Sequence, residues 1–187
     1  MSSWDKHLKY EEWVKIFEKE INRLKKEKEY ADFKKLKKPR TRLHLAYNSI
    51  LLTQLINGAR ISETIEALLK FAEDSKHEHY QYTEAKKRRA HKKDRIMHIP
   101  NIVTSNFIAY IKDRPVKQIQ NGVMLFAMNQ HHINTHSLRY AFVSYQNRNG
   151  TPATTTAGIM RHTNVGMIEH YSRDEEADEA FRKMMKY

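Results

Sequence analysis

Three short stretches of the 187-residue chain carry the residue types that could act on a phosphate. In NGARISE, Arg60 lies at a helix junction, where free backbone amides and a guanidinium can face the same anion. In THSLRYAF, His136 and Arg139 are three residues apart, so that on a helix they share one face. In MRHTNVGMIEHYS, His162 precedes Tyr171 by nine residues.

Each stretch taken alone also has an ordinary structural explanation. Arg60 could be a surface arginine that pairs with Glu63, and the pair of His136 and Arg139 could belong to a solvated helix face. A histidine and a tyrosine nine residues apart are common by chance. The combination of all three stretches is what makes a site plausible.

The charge of the chain points to a polyanionic partner. Lysine and arginine outnumber aspartate and glutamate by 34 to 22, which gives a formal net charge of +12. Such a surplus favours nucleic acid first and an anionic membrane surface second, because neutralised phosphates release counterions. The lack of cysteine excludes disulfides, thiolate metal sites and cysteine nucleophiles. With no leader and no long apolar run, we expect a soluble, cytoplasmic, DNA-associated protein.

The elements that must position these residues begin with a distinct N-terminal part. Residues 1–40 predict an amphipathic helix and a basic linker that ends at Pro39, and residues 41–187 predict the domain that carries the three stretches. The apolar residues at helical spacing in the first part are Trp13, Ile16, Phe17, Ile21 and Leu24.

A core helix is predicted from 41 to Gly58, where glycine gives a helix-ending signal. A second helix is predicted from Ser62. The helix predicted from 41 to Gly58 places five apolar residues on one face, namely Leu43, Tyr47, Ile50, Leu51 and Leu55.

The remaining pattern predicts one β-hairpin followed by helices. Tyr80 and Tyr82 alternate with polar residues before a basic turn, and a second extended run ends at Pro100. Helices are then predicted near 101–112, 116–130, 137–148, 152–160 and 174–186. The predicted fold class is mainly α with a small antiparallel β-sheet (α+β).

In order and spacing, the three stretches resemble the sequence boxes of the tyrosine recombinases, or phage-type integrases. The resemblance covers residues 41–175 and implies the catalytic-domain fold of that family. The lysine-rich, short chain looks most like integrases of archaeal viruses and plasmids. The matched positions are Gly58, Arg60, Ser62 and Glu63 in the first box, His136, Leu138, Arg139, Tyr140 and Phe142 in the second, and His162 and Tyr171 in the third.

The resemblance implies site-specific DNA cleavage and rejoining without metal, ATP or another cofactor. Tyr171 would attack the scissile phosphate and form a 3′-phosphotyrosine, which conserves the energy of the broken bond. Because a free tyrosine has a pKa near ~10, its hydroxyl needs a base, and His136 is the candidate that the resemblance gives.

The same resemblance assigns the groups around the phosphate. Arg60 and Arg139 would hold the non-bridging oxygens and stabilise the charge of the pentavalent transition state. His162 would donate a further hydrogen bond to the phosphate. Glu63 would orient these groups from behind.

The family's general acid is a lysine of the hairpin turn, and EAKKRRAHKK offers four lysines. We select Lys86 from its distance to the preceding extended run, although counting back from Pro100 favours Lys92, and Lys87 stays an alternative. The other basic residues are candidate contacts to DNA phosphates. These candidates are Lys87, Arg88, Arg89, Lys92, Lys93 and Arg161.

Departures from the family pattern concern the second and third boxes. Arg161 replaces the usual glycine before the third-box histidine, and Met160 replaces leucine. Tyr140 stands where histidine is commoner, but inside a helix it is a poor nucleophile. No metal site is expected, because the remaining histidines lack ligand spacing and are interpreted as surface or hairpin residues. These are His91, His98, His131 and His132.

The partners implied are double-stranded DNA attachment sites and further copies of the chain in a synaptic homotetramer. Whether Tyr171 acts on the phosphate of its own protomer stays open, as does the packing of the terminal helix. Alternatives are relaxation of DNA as by a type IB topoisomerase, a DNA-binding relic without turnover, and a basic helical protein that binds by charge alone.

Overall fold

The computed structural model describes residues 8–34, 38–74, 76, 78–84 and 94–160. These residues form α-helices, a π-helical turn and one antiparallel β-hairpin, which confirms the predicted class of a mainly α fold with a small sheet. The elements are α1 (Tyr10–Phe33), α2 (Pro39–Asn57), α3 (Ile61–Glu73), β1 (Tyr80–Glu84), β2 (Asp94–His98), α4 (Ser105–Ala109), α5 (Val116–Phe126), the π-helical turn (Ala127–His131), α6 (Thr135–Arg148) and α7 (Ala153–Met160).

Helix α2 is the centre of the core, as predicted. It begins at Pro39, whose fixed φ suits the first helical position, and every residue from Leu45 to Leu55 is buried. Polar residues are tolerated there because their side chains bond to carbonyls four residues earlier, as Ser49 and Thr53 do at 2.8 Å. Of the predicted core face, only Leu43 is partly exposed.

Helix α1 lies against α2 and α6 and contributes to the same hydrophobic core. Phe17, Ile21 and Leu24 are buried, and Trp13 packs at the edge of the core. Ile16, which was expected on the same face, is instead 41% exposed because it lies beside a surface pocket between α1 and α2. The apolar stripe of α1 is therefore narrower than its sequence predicts.

The predicted hairpin is confirmed in its two strands. Tyr80 pairs with His98 and Glu84 with Asp94 across the antiparallel ladder. Since side chains alternate between the faces of a strand, Arg95 and Met97 point into the protein and are buried. The hairpin packs on α3 and on the end of α2.

The helices after the hairpin follow the sequence except in one place. The helix predicted over 101–112 is limited to α4, because tighter turns precede and follow it. These turns are closed by bonds between residues three apart, Val103 N–Pro100 O and Ile111 N–Ile108 O. Helix α5 continues into the π-helical turn, and His132 ends it with a φ of 54°. The helix predicted over 174–186 lies outside the described residues.

Candidate active site

The first and second sequence boxes meet where α2 ends. Gly58 adopts the left-handed conformation with a φ of 55° that commonly follows a helix. A Cβ atom at this position would lie 2.4 Å from Cδ1 of Phe142 on α6. Glycine is therefore required both for the backbone turn and for the close approach of the Phe142 ring.

A buried glutamine joins the same two segments by hydrogen bonds. Nε2 of Gln54 donates to the carbonyl of Ala59 at 3.3 Å and to the carbonyl of Thr135 at 3.1 Å. Ala59 directly precedes Arg60, and Thr135 is the first residue of α6. Gln54, which the sequence analysis did not single out, thus fixes the backbone that carries Arg60 relative to the helix that carries His136 and Arg139.

Arg60 precedes α3 and contacts Glu63 through both its backbone and its side chain. The backbone N donates to Oε2 of Glu63 at 3.2 Å, which caps the helix, and Nη1 donates to Oε1 at 3.0 Å. The Arg60 side chain is 38% exposed, whereas the Glu63 side chain is fully buried. The ion pair between Arg60 and Glu63, expected if Arg60 were an ordinary surface arginine, therefore exists, but the Glu63 carboxylate lies inside the protein.

A second arginine, missed by the sequence analysis, lies on the other side of Glu63. Nη1 of Arg95 donates to Oε2 of Glu63 at 3.3 Å, and Nη2 donates to the carbonyl of Asn57. Arg95 is 3% exposed. The strand pattern carried a signal, because Arg95 shares a strand face with Met97, opposite to Ile96. How deeply that face is buried depends on how the hairpin packs.

Helix α6 holds His136 and Arg139 in different surroundings. Oδ1 of Asn134 accepts a hydrogen bond from the His136 backbone at 2.8 Å and so caps the helix. The His136 side chain is exposed, and its ring packs edge-on against Tyr140 at 4.8 Å between centroids. Arg139 is only 4% exposed. Arg139 therefore does not belong to a solvated helix face, which was the ordinary structural explanation for this residue.

The third box begins at the last residue of α7. Met160, the last residue of that helix, is buried with Ala157 against Phe142 and Val143 of α6. Arg161, His162 and Tyr171 lie outside the described residues, as do all the basic candidates of the hairpin turn. The latter are Lys86, Lys87, Arg88, Arg89, Lys92 and Lys93.

One histidine interpreted as a surface residue proves to be half-buried. The His131 ring packs among Trp13, Phe17 and Phe126, and Nε2 lies 3.0 Å from Oδ1 of Asn48. Burial lowers the pKa of His131 below its ordinary value. The interpretation was wrong because the π-helical turn directs this side chain toward α1, which local sequence does not show.

Two further kinds of feature are absent from the part of the chain that the structure describes. No group of three or more histidine, aspartate or glutamate side chains there has the geometry to hold a metal ion. No helix in that part is long and apolar enough to cross a membrane.

Comparison with known proteins gives two similar sequences. A protein of Acidianus two-tailed virus, named as a candidate integrase, is 36% identical over 143 residues, which cover 74% of this chain and 56% of the viral protein. An uncharacterized protein of Methanocaldococcus jannaschii is 29% identical over 206 aligned positions, which cover 97% of this chain and 89% of that protein. No protein-family model and no solved structure matches the chain. The chain therefore resembles a viral protein named as an integrase, of which it spans little more than half.

Proposed function

We propose that the chain is the catalytic domain of a tyrosine recombinase that integrates DNA at specific sites. The observation that carries the proposal is the contact between Gly58 and Phe142, which joins the segment of Arg60 to the helix of Arg139. These arginines are far apart in sequence, and the junction places the backbone segments that carry them next to each other. The similarity to the viral protein named as an integrase supports the same conclusion.

In the proposed reaction, the hydroxyl oxygen of Tyr171 attacks the phosphorus of the scissile phosphodiester. A bond forms between that oxygen and the phosphate, and the bond to the 5′ oxygen breaks. The products are a 3′-phosphotyrosine and a free 5′-hydroxyl, and attack by a 5′-hydroxyl reverses the step. The energy of the phosphodiester is conserved in the protein–DNA bond, so neither ATP nor a metal is required.

His136 accepts the proton that Tyr171 loses. Its exposure at the beginning of α6 suits this role, because the tyrosine must be deprotonated where DNA arrives from solvent. A lysine of the hairpin turn, for which we retain Lys86, gives a proton to the leaving 5′ oxygen.

Arg60 and Arg139 stabilise the charge that accumulates on the non-bridging oxygens. The two side chains suit this work differently, since Arg60 is partly exposed and Arg139 is buried. A guanidinium in a partly dry site interacts more strongly with an anion than one in bulk water. His162 adds a hydrogen bond to the phosphate, and Glu63 orients Arg60.

The substrate is double-stranded DNA that carries attachment sites, and the acting form is a synaptic homotetramer. The charge surplus supports a DNA partner. The basic residues of the hairpin turn and Arg161 contact phosphates that flank the scissile position, which fixes the register of the protein on the duplex.

The test is capture of the covalent intermediate. A labelled pool of nicked duplexes with a randomised central sequence is incubated with the chain in EDTA, and protein-bound DNA is recovered under denaturing conditions. We expect adducts with the wild-type chain and none with Tyr171→Phe. Tyr140→Phe is the control, because Tyr140 is the rival hydroxyl, and it should still form adducts. Adducts that survive Tyr171→Phe, or a wild-type chain without adducts, would contradict the proposal.

A further inference from the structure

The site contains three neighbouring charged side chains, one of which, Arg95, has no role in the proposed reaction. One carboxylate, that of Glu63, lies between two guanidiniums, those of Arg60 and Arg95. We name this set the buried triad. Glu63 is fully buried and Arg95 nearly so, whereas Arg60 reaches solvent.

The two oxygens of Glu63 are divided between the arginines. Oε1 accepts from Nη1 of Arg60, and Oε2 accepts from the Arg60 backbone and from Nη1 of Arg95. Within the triad, one negative charge thus meets two positive charges. If Arg95 were absent, the same carboxylate would face Arg60 alone and would cancel most of its charge.

Arg95 is itself held in place by the end of α2. Its Nη2 donates to the carbonyl of Asn57, and the Asn57 side chain bonds to both the backbone N and the carbonyl of His98, at 2.9 and 2.7 Å. These contacts join β2 to α2 one residue before Gly58. The guanidinium of Arg95 therefore reaches Glu63 from a fixed strand.

We propose that Arg95 is a positioning residue of this site. Its guanidinium neutralises the buried carboxylate of Glu63, so that Glu63 orients Arg60 without cancelling the positive charge that Arg60 directs to the scissile phosphate. The inference rests on the proposed function, and it adds a residue of the hairpin strand to the groups on which cleavage depends.

The experiment measures the single-turnover rate of adduct formation on one duplex recovered from the randomised pool. Arg95→Met should slow the rate about 100-fold, because a displaced and neutralised Arg60 no longer stabilises the transition state. Affinity for the duplex should change much less, since a side chain as buried as that of Arg95 has almost no surface to offer to DNA. Arg148→Met is the matched control, because it removes the same charge from the protein. Arg148 is an exposed arginine that pairs with Glu11 on α1.

The double variant Glu63→Gln with Arg95→Met separates positioning from packing. Removing the carboxylate frees Arg60 from an unbalanced negative charge, so the double variant should be about tenfold faster than Arg95→Met alone. A residue that only fills space would give the opposite result, namely a double variant slower than either single variant. Arg95→Lys keeps the charge and should lie between Arg95→Met and the wild type.

The outcomes are distinct for the inference and for the proposed function. A wild-type chain that forms no adduct overturns the proposed function and this inference with it. A wild-type chain that cleaves while Arg95→Met cleaves equally fast overturns only the role of Arg95. If Arg95→Met does not fold, the double variant, which buries no unbalanced charge, should fold and cleave more slowly than the wild type. A double variant that cleaves as fast as the wild type would overturn the inference.

Discussion

Two sets of three charges in this protein use the same residue types with opposite stoichiometry. In the buried triad, Glu63 lies between Arg60 and Arg95. On the surface of α1, Arg23 lies between Glu20 and Glu27, and its side chain is 53% exposed. We name this second set the surface triad.

The difference between the two triads is one of surroundings. Arg23 donates to Glu20 at 2.9 Å, and this hydrogen bond lowers the pKa of Glu20, but both groups remain in contact with water. Exposed pairs of this kind contribute little, since solvent screens them and long side chains lose freedom. A buried carboxylate loses its hydration and depends on its partners. The buried triad is thus the set whose arrangement the fold must enforce.

The largest effect on stability is expected when the central charge of the buried triad is removed. Glu63→Gln should lower the free energy of unfolding by about 3–5 kcal/mol, because it leaves buried guanidinium charge without its carboxylate. The same substitution at an outer member of the surface triad, Glu20→Gln, should cost at most ~1 kcal/mol. Urea unfolding at neutral pH measures both. Equal losses in the two variants would contradict the distinction between the triads.

A smaller effect is expected at the backbone turn beside the buried triad. Gly58→Ala should lower the free energy of unfolding by about 2–3 kcal/mol, because it adds a clash with Phe142 to an unfavourable left-handed backbone. Gly150→Ala is the control, since its φ is 73° but no atom lies within 4 Å of the added Cβ. It should cost only about 1 kcal/mol. Similar losses at Gly58 and Gly150 would show that Phe142 yields and that the junction is loose.

The smallest effect is expected near the surface triad and depends on pH. Burial lowers the pKa of His131, so the unfolded chain binds a proton that the folded chain excludes. Stability contributed by neutral His131 is therefore present above pH ~6.5 and is lost as the pH falls below that value. Burial lowers the pKa of His44 in the same direction.

Measurement of urea midpoints between pH 7.5 and pH 5.5 tests this expectation. The wild type should lose stability toward the lower pH, and His131→Gln should lose less, because it has one fewer group to protonate. An unchanged pH dependence in His131→Gln would show that protonation of His131 does not contribute to the loss of stability.

The local structure was predictable because it depends on local patterns. Period and helix-ending signals placed α2, α3 and the hairpin strands, and Gly58 marked the end of α2. The stripe on α1 was correct except at Ile16, where the partner surface opens into a pocket. Amphipathic patterns show which face is apolar but not how much of that face another element covers.

The groups that assemble the site were less predictable. Arg60, Glu63 and Arg139 were selected from sequence boxes, whereas Gln54 and Arg95 were missed. Both missed residues are polar and buried, and their bonds join segments that are distant in sequence. No local period indicates such bonds, because a buried polar group is satisfied only by the tertiary fold.

Arg60 and Arg139 are proposed to act on one phosphate, and a double-mutant cycle on the adduct rate measures whether they do. Arg60→Lys and Arg139→Lys should each slow adduct formation by about 10²–10³-fold, as for loss of one donor to a developing oxyanion. Groups that act as a unit are strongly non-additive, so the double variant should be scarcely slower than the slower single variant. A double variant in which the two losses multiply would contradict the claim.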